Sequence, residues 1–349
     1  MFHLPLDIDL NTTSILLQLN KANYRIGQLD GALKLLPNPS IILNAITIGE
    51  AKISSEIENI ITTYHEIYES ITSENSNKNA KEVLNYKDAI NLAHEIVIKK
   101  QMLTTNDMVA IHHVIEPNKG AIRNQAGTVL RNERTKEVIH TPPQNEKEIR
   151  DYLENLEKYI NEKSSYDPLI DMALIHYQFE AIHPFFDGNG RTGRVLNVAF
   201  LTLKEKISLP VLYLSKYIIN HKEDYYSLIS KVQEDKKNIV YFVQYMLQAV
   251  EETAIFTIEF IDAVNESMDE TYRLLGEQLP KRQSKELVEV LYYDFITKNE
   301  YFRENLSISR NTATTILKEL TSIGILKEQT VGKEVWYRNI RLMELMEQW

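Results

Sequence analysis

The sequence contains no cysteine among its 349 residues. Disulfide bonds, thiolate metal sites and cysteine nucleophiles are therefore excluded. Glycine and proline are scarce, at 11 and 10 residues, and the abundance of leucine, isoleucine, glutamate and lysine favours helices. No basic stretch followed by an apolar segment begins the chain, and the longest apolar runs, such as Ile207 to Leu214, are too short to cross a bilayer. We expect a cytoplasmic protein that does not bind membranes.

Negative charge predominates, with a formal net charge of -10, and a uniformly acidic surface repels nucleic acid. Hydrophobic residues make up 43% of the chain, which is enough for a core and suggests two or three domains. The charge is unevenly spread, because Lys281 to Arg341 holds 11 basic and 8 acidic residues. The C-terminal end is therefore mildly basic.

Apolar periodicity predicts a mainly helical protein. The helix that opens at Pro168 carries apolar residues at a 3.6-residue period, which predicts one buried face. Between Thr128 and His140, two short β-prone runs flank a polar turn and predict a hairpin. The other predicted helices lie at 41–69 (one or two helices), 85–100, 107–115, 146–162 and 192–204.

The last 70 residues predict a separate module. Ser309 is a suitable N-cap for a helix that Gly324 ends. The order of helix, helix, helix and hairpin is that of a winged helix-turn-helix. The predicted elements are helices at 284–297, 301–306 and 309–323, followed by strands at 325–331 and 335–340.

The segment His183–Arg194 reads His-Pro-Phe-Phe-Asp-Gly-Asn-Gly-Arg-Thr-Gly-Arg and carries the chemistry. Gly188, Asn189 and Gly190 precede a helix, so backbone N–H groups and the helix N-terminus form a site suited to phosphate. Arg191 and Arg194 lie three residues apart on the first turn of that helix, within reach of one anion.

Three more side chains complete a set suited to phosphate transfer. Asp187 is a carboxylate beside the glycines, where Mg²⁺ that bridges phosphates needs a ligand. His183 can accept a proton near neutral pH. Phe185 is expected to anchor the loop in the core. Each feature alone is more often structural, but a base, a metal ligand, an anion site and two arginines within twelve residues point to phosphate-transfer chemistry.

This segment resembles the motif of the Fic family, His-x-Phe-x-Asp/Glu-Gly-Asn-Gly-Arg-x-x-Arg, at all eight specified positions. The resemblance extends over roughly residues 45–280 and implies an all-helical Fic core with a small β-hairpin flap. It implies an N-terminal helical region at 1–100 with an inhibitory helix near 45–69 and a Fic catalytic core at 101–280, and the winged helix-turn-helix predicted from its element order follows at 281–349.

The resemblance also implies a reaction and a role for each motif residue. His183 deprotonates a Ser, Thr or Tyr hydroxyl of a target protein, and that oxygen attacks the α-phosphate of ATP while pyrophosphate leaves. Asp187 holds Mg²⁺, and the hairpin holds the target segment by strand addition. The residues implied to bind the phosphates are Gly188, Asn189, Gly190, Arg191 and Arg194.

Tyr225, in Glu-Asp-Tyr-Tyr, resembles a nucleotide-base contact of the family, although a core or surface tyrosine fits the sequence equally well.

Ser54-Ser-Glu-Ile-Glu58-Asn59 resembles the Fic inhibitory motif Ser/Thr-x-x-x-Glu-Gly/Asn. A pair between Glu58 and Arg194 would occupy the place of the γ-phosphate and hold ATP in an unproductive pose. We therefore expect a weakly active wild-type protein that loss of Glu58 activates.

The C-terminal module has two interpretations. Residues of its third helix and Lys333 on the wing would face a DNA groove, or the module mediates protein contacts or self-association. The net negative charge of the whole protein favours protein contacts or self-association. The helix residues concerned are Arg310, Asn311, Thr312 and Thr315.

The leading interpretation is an ATP-dependent protein adenylyltransferase whose target is another protein or the chain itself. A second is a Fic enzyme that uses another donor or removes AMP, for which Glu58 would position water. A third is a DNA-binding regulator with a nucleotide-sensing core, although a sensor needs no base such as His183. The resemblance is compatible with a homodimer.

Overall fold

The computed structural model describes residues 2–36, 38–72, 77–119, 121–131, 138–331 and 334–348. Its contacts divide the chain into two compact units. The first unit comprises Met1–Asp30 and Glu50–Ile255, and the second comprises Gly31–Gly49 and Phe256–Trp349. The functional motifs described above, other than those of the C-terminal module, therefore lie in the first unit.

Helices build the first unit. Two of them, α1 (Thr13–Lys34) and α2 (Pro39–Ile57), begin in one unit and end in the other, as does α11 (Ile239–Gln278). The others are α3 (Tyr64–Thr72), α4 (Lys78–Lys100), α5 (Thr105–Ile115), α6 (Glu146–Asn161), α7 (Pro168–Ile182), α8 (Asn189–Leu203), α9 (Ser215–Asn220) and α10 (Lys222–Glu234).

Local sequence signals begin α7 at Pro168 as predicted, whereas α4 begins at Lys78 and α8 at Asn189, earlier than the predicted starts at residues 85 and 192. Asp167 caps α7, accepting a hydrogen bond from the Leu169 N–H at 2.9 Å, and Pro168 fills the first helical position. Thr104 and Asp107 form a reciprocal capping box at the start of α5. The stretch at 41–69 forms two helices, because α2 ends at Ile57 and α3 begins at Tyr64.

The helix α7 is buried on all sides, which corrects the prediction of a single buried face. Every residue from Leu169 to Ile182 is buried, and most of α8 is buried as well. The polar side chains of α7 therefore lie in the core, and the period of its apolar residues does not reveal this. The loop between α7 and α8 carries the motif, so it is held by two helices of the core.

The predicted hairpin is present between the described residues on either side of its turn. Strands β1 (Leu130–Arg131) and β2 (Val138–His140) pair antiparallel, with Leu130 opposite His140. The side chain of Gln144 closes its base, accepting from the Gly127 N–H at 2.6 Å and donating to the Thr128 carbonyl at 3.0 Å. The turn at 132–137 lies outside the described residues.

The second unit contains the predicted winged arrangement with one additional strand. Strands β3 (Ile296–Lys298), β4 (Leu326–Val331) and β5 (Glu334–Asn339) form an antiparallel sheet in the order β3-β5-β4. The helix predicted at 284–297 ends at Tyr293, because the residues that follow pair with β5. The helices are α12 (Lys285–Tyr293), α13 (Asn299–Asn305), α14 (Arg310–Ser322) and α15 (Ile340–Gln348), the last of which the sequence did not predict.

The helix α14 presents part of the face predicted to read DNA. Ser309 caps it as predicted, and Gly324 follows its end with a positive φ of 76°. Arg310, Asn311 and Thr315 are exposed, and Thr312 is partly buried. Lys333, assigned to the wing, lies outside the described residues.

Across the part of the chain that the structure describes, no helix combines the length and apolar character needed to cross a membrane.

Candidate active site

The base candidate, His183, directly follows α7 in a left-handed conformation with φ 47°, and its N–H donates to the Phe179 carbonyl at 3.0 Å. Arg123 fixes this turn. Its Nε donates to the His183 carbonyl at 2.7 Å, its Nη2 to the Pro143 carbonyl at 2.5 Å, and its backbone N–H to the Pro184 carbonyl at 2.9 Å. Arg123 therefore fixes the backbone position of His183, and no motif in the sequence marks it.

Burial keeps the His183 imidazole neutral. Desolvation, with the nearby charges of Arg123 and His140, lowers the pKa of His183 to about 3. Its Nδ1 is buried and has no hydrogen-bond partner among the described residues. The ring is therefore unprotonated at neutral pH, as a general base must be before it acts, but its pKa lies well below the near-neutral value expected from the sequence, which makes it a weak base in this conformation.

The motif loop is closed by the side chain of Asn189. Its Nδ2 donates to the Phe185 carbonyl and its Oδ1 accepts from the Phe185 N–H, both at 2.9 Å. Phe185 is 1% exposed, as predicted, and stacks on His112 with ring centroids 3.6 Å apart. His112 Nε2 also donates to the Asp187 carbonyl at 2.8 Å. Asn189 thus shapes the loop with its side chain, which leaves only its backbone for a phosphate.

Both motif glycines lie in close contact with side chains, and Gly188 also adopts a positive φ that favours glycine. Gly188 has φ 71°, and a Cβ on it would lie 3.0 Å from the side chain of Glu116. A Cβ on Gly190 would collide with Oε1 of Glu58 and lie 3.0 Å from Nη1 of Arg194. A carboxylate therefore lies against the first turn of α8, where the helix N-terminus favours an anion.

Arg194 binds the segment Ser54–Glu58, which carries the predicted inhibitory motif, with three hydrogen bonds. Its Nε donates to Ser54 Oγ at 2.8 Å, and its Nη2 donates to the Ser54 carbonyl at 2.9 Å and to Glu58 Oε1 at 3.1 Å. The guanidinium side chain is 3% exposed and that of Glu58 is 33% exposed. Burial disfavours the charge of Arg194, but nearby Glu58 and further acidic groups outweigh burial and raise its pKa. The structure thus brings together residues that lie 136 and 140 positions apart in the sequence.

Glu58 directly follows α2, at a helix end that Asn59 forms. Asn59 adopts φ 61°, the left-handed conformation that asparagine and glycine tolerate best. The Asn59 N–H donates to the Glu56 carbonyl at 2.9 Å, and the Ile60 N–H donates to the Ser55 carbonyl at 3.0 Å. This geometry explains physically why the motif admits glycine or asparagine after its glutamate.

Asp187 is half-exposed and pairs with Lys119, whose Nζ lies 2.6 Å from Oδ2. Partial burial raises the pKa of Asp187, but the hydrogen bonds from Lys119 and from the Gly188 N–H outweigh it and lower the pKa overall. The carboxylate is therefore ionised and accessible. Mg²⁺ held mainly by substrate phosphates needs one or two such carboxylates, so Asp187 fits the ion.

The structure does not place Arg191 beside Arg194 at the anion site. Arg191 is 1% exposed, and its Nη2 lies 2.7 Å from Glu116 Oε1, with Nη1 3.5 Å from Glu82 Oε2. Only Arg194 of the two arginines lies against Gly190 and Glu58. The spacing of three residues predicted that both arginines lie near one anion. Arg191 instead forms ion pairs with Glu82 of α4 and with Glu116 at the end of α5.

Tyr225 lies in the core. It is 2% exposed, and a hydrogen bond of 2.8 Å joins its hydroxyl to Nε2 of His176, which lies on the buried α7. Its ring also packs near Phe242 and Tyr245, with centroids 6.1 and 6.0 Å away. The sequence left open whether Tyr225 contacts a nucleotide base or is a core or surface tyrosine. This packing is that of a core tyrosine.

Two buried carboxyl groups near Arg194 had no signal in the sequence. Burial raises the pKa of Glu50 to about 7, although Ser215, Arg194 and Tyr86 oppose the shift. Burial likewise raises the pKa of Glu180 to about 7, opposed by Arg194 and reinforced by Glu58. Glu50 hydrogen bonds with the hydroxyls of Ser215 at 2.5 Å and Tyr86 at 3.0 Å. Arg194 therefore lies among several groups whose charge depends on pH.

A helical core with this closed loop, His183 at its start and a glycine-lined helix N-terminus is the arrangement of the Fic fold. Three family models match in succession along the chain. The Fic/DOC family N-terminal model matches residues 16–95, and the Fic/DOC family model matches 102–201. The model for the C-terminal domain of SoFic-like protein adenylyltransferase matches 267–342. The chain belongs to the Fic/DOC family.

Curated relatives are similar to part of the chain. It is 25% identical over 214 residues to a protein adenylyltransferase Fic of Drosophila willistoni, covering 60% of this chain and 41% of the relative. It is 28% identical over 160 residues to the Aedes aegypti protein of the same name, covering 45% and 30%. The chain thus spans less than half the length of these relatives.

Solved structures share the fold. A Fic family protein from Desulfovibrio desulfuricans G20 aligns with a TM-score of 0.63 at 20% identity, covering 97% of this chain and 98% of that one. Fic-1 of C. elegans aligns with a TM-score of 0.53 at 16% identity, covering 71% and 73%. The first alignment extends the likeness of fold to nearly the whole chain.

Proposed function

We propose that the protein is an autoinhibited protein adenylyltransferase that transfers AMP from ATP to a Ser, Thr or Tyr hydroxyl of a target protein. The observation that carries the proposal is the position of Glu58, whose carboxylate lies against Gly190 and on Arg194. A glycine-lined helix N-terminus with a buried arginine suits a phosphate, and here an internal carboxylate occupies it. The adenylyltransferase names of the relatives support the same reaction.

The transfer step uses the base and the loop. The target oxygen forms a bond to the α-phosphorus of ATP, the bond from that phosphorus to the oxygen bridging to the β-phosphate breaks, and pyrophosphate leaves. The hydroxyl proton passes to the neutral His183, which Arg123 holds in position. Asp187 would hold Mg²⁺, which when bound neutralises charge on the phosphates. Backbone N–H groups around Gly188 and Gly190 stabilise the phosphate oxygens.

Glu58 would restrain this reaction by occupying the phosphate end of the site. A γ-phosphate and the Glu58 carboxylate are both anions, so they cannot share Arg194 and the α8 N-terminus without strong repulsion. ATP would then bind with its α-phosphorus out of line with the acceptor oxygen, which reduces transfer. The hairpin would present the target segment by strand addition at β1 and β2.

The test is transfer of label from α-labelled ATP with Mg²⁺, to the protein itself and to added candidate targets. We compare wild type, Glu58→Gly and Glu58→Gly/His183→Ala. Because each 1.36 kcal/mol in a barrier is tenfold in rate, loss of a buried charge pair is expected to raise transfer by about tenfold or more. Adding His183→Ala is expected to abolish the gain.

Glu56→Ala is the matched control, because alanine removes a carboxylate without weakening the helix. Glu56 lies in the last turn of α2, two residues before Glu58, but its side chain is 41% exposed and pairs with Lys52 at 3.4 Å rather than with Arg194. It should leave transfer unchanged. Absence of label in every variant, with ATP binding intact, would reject AMP transfer from ATP. Release of AMP from a modified protein by wild type, lost in Glu58→Gly, would instead support AMP removal.

A further inference from the structure

Lys222, the first residue of α10, reaches across the first unit to the end of the inhibitory helix. Its Nζ donates a hydrogen bond to the Ile57 carbonyl at 2.7 Å. Ile57 is the last residue of α2 and the residue directly before Glu58. No sequence motif marks this lysine, and the proposed transfer step does not use it.

The last turn of α2 leaves carbonyl groups that need donors from elsewhere. The carbonyls of Ser55 and Glu56 accept from the backbone N–H groups that form the turn at Asn59. The carbonyl of Ile57 accepts from Lys222. A cation at this position also stabilises the negative end of the helix dipole. Lys222 therefore satisfies the helix end from which Glu58 projects.

The position of the Glu58 carboxylate depends on the backbone at the end of α2. Its side chain is 33% exposed, and the one hydrogen bond that its carboxylate makes among the described residues is that from Arg194 at 3.1 Å. Ser54, one turn earlier, is fully buried and bonded to Arg194 at two atoms. The start of the inhibitory motif is thus fixed within the core, whereas its end needs a separate attachment.

We propose that Lys222 is a positioning residue for the inhibitory segment, holding the end of α2 so that the Glu58 carboxylate stays on Arg194. The inference rests on the proposed function, because it assigns Lys222 to the inhibition that Glu58 exerts. Loss of the hydrogen bond lets the turn at residues 58–60 move away from α8. Glu58 then leaves the anion site for part of the time, and ATP can bind productively in that fraction.

The test is a double-mutant cycle in the transfer assay. Lys222→Met and Lys222→Gln remove the charge in two ways, so that the result does not depend on the folding of one variant. Given the usual net contribution of a hydrogen bond, each is expected to raise transfer by about two- to tenfold, less than Glu58→Gly. Lys222→Arg retains a donor and a positive charge, and it is expected to restore most of the inhibition.

Lys222→Met in the Glu58→Gly background distinguishes a positioning role of Lys222 from general destabilisation of the fold. In Glu58→Gly there is no carboxylate to position, so Lys222→Met should add no further activity there. Lys231→Met, near the other end of α10 and exposed, is the control and should behave as wild type.

The outcomes distinguish a failure of the role assigned to Lys222 from a failure of the proposed function. If Glu58→Gly is activated but both lysine variants match wild type, the role of Lys222 is wrong and the proposed function stands. Equal gains from Lys222→Met with and without Glu58 would likewise reject positioning. If Glu58→Gly itself gains no activity, the proposed function fails and the inference fails with it.

Discussion

Arg194 holds Ser54 at two atoms, through the hydroxyl oxygen at 2.8 Å and the backbone carbonyl at 2.9 Å. The helix α2 is therefore attached to α8 by contacts that do not involve Glu58. The proposed inhibition thus has two parts, the attachment of α2 and the occupation of the anion site, and each can be tested separately.

Ser54→Ala is expected to raise AMP transfer by about two- to fivefold, because one hydrogen bond that seats α2 is lost while the carbonyl bond and Glu58 remain. Ser55→Ala is the matched control, since Ser55 is equally buried but its hydroxyl has no partner among the described residues. Label transfer from ATP measures both variants. Equal activity of the two would show that the Ser54 hydroxyl does not contribute to inhibition.

Gly190→Ala is expected to lower the melting temperature, because the new methyl group would collide with the Glu58 carboxylate. The same change in Glu58→Gly should be less destabilising, since the clash with the carboxylate is gone and only the tight contact of 3.0 Å with Nη1 of Arg194 remains. Gly27→Ala is the control: Gly27 lies within α1 and has open space around it, so the substitution should stabilise. Melting curves of the four variants and wild type decide the question. An undiminished loss without Glu58 would place the clash elsewhere.

Glu50 is expected to make the protein less stable as pH rises. Burial penalises its charged form and raises its pKa from the ordinary glutamate value of 4.5 to about 7 in the folded protein. The folded state therefore binds more protons between these values, so the stabilising contribution is complete below pH 4.5 and lost by about pH 7. Glu50→Gln removes this dependence, so its melting temperature relative to wild type should increase with pH across that range.

The melting temperature of Glu50→Gln is compared with that of wild type because two buried histidines change the stability in the opposite direction as pH rises. Burial lowers the pKa of His176 and of His183 to about 3, so folding favours their neutral forms and their contribution is lost as pH falls. Both variants keep these histidines, and their effect cancels in the difference. Glu56→Gln, at a half-exposed site of the same helix, should show no such trend. A flat difference for Glu50→Gln would contradict the raised pKa.

Lys119 is expected to compete with a divalent cation for Asp187, because its Nζ lies 2.6 Å from one carboxylate oxygen. Removal of an exposed ion pair alters affinity modestly, so Lys119→Met should tighten Mn²⁺ binding about two- to fivefold. Electron paramagnetic resonance of free Mn²⁺ measures this directly. Asp187→Asn should weaken binding, and Lys99→Met, which loses only the exposed pair with Glu95, should change nothing. Weaker binding by Lys119→Met would mean that the lysine assists the cation.

Local signals in the sequence predicted much of the fold. The helix start at Pro168, the cap at Ser309 and the stop at Gly324 are decided by neighbouring residues, and the structure confirms them. The strand at Ile296–Lys298 was predicted as the end of a helix, because a short apolar run has no period that separates the two. Its partner β5 lies about 40 residues later, and this pairing decides its conformation.

The candidate site likewise contains residues that the sequence predicted and residues that it did not. The loop residues and the attachment of Glu58 to Arg194 followed from a motif, and the structure brings them together. Arg123 could not be found from the sequence, because its role depends on reaching backbone carbonyls 20 and 60 positions away. Arg191 was assigned to phosphate from its spacing and from the family resemblance. Its carboxylate partners come from other helices, and no local pattern reveals them.

The ring that Asn189 closes with the backbone of Phe185 has a consequence for affinity. A glycine-rich loop that is free in solution must lose conformational entropy when it wraps around a phosphate, and that loss weakens binding. Here folding has already ordered the loop, so a ligand meets a preorganised cradle. The N–H dipoles are then oriented before charge develops in the transition state, and none has to reorganise during the reaction.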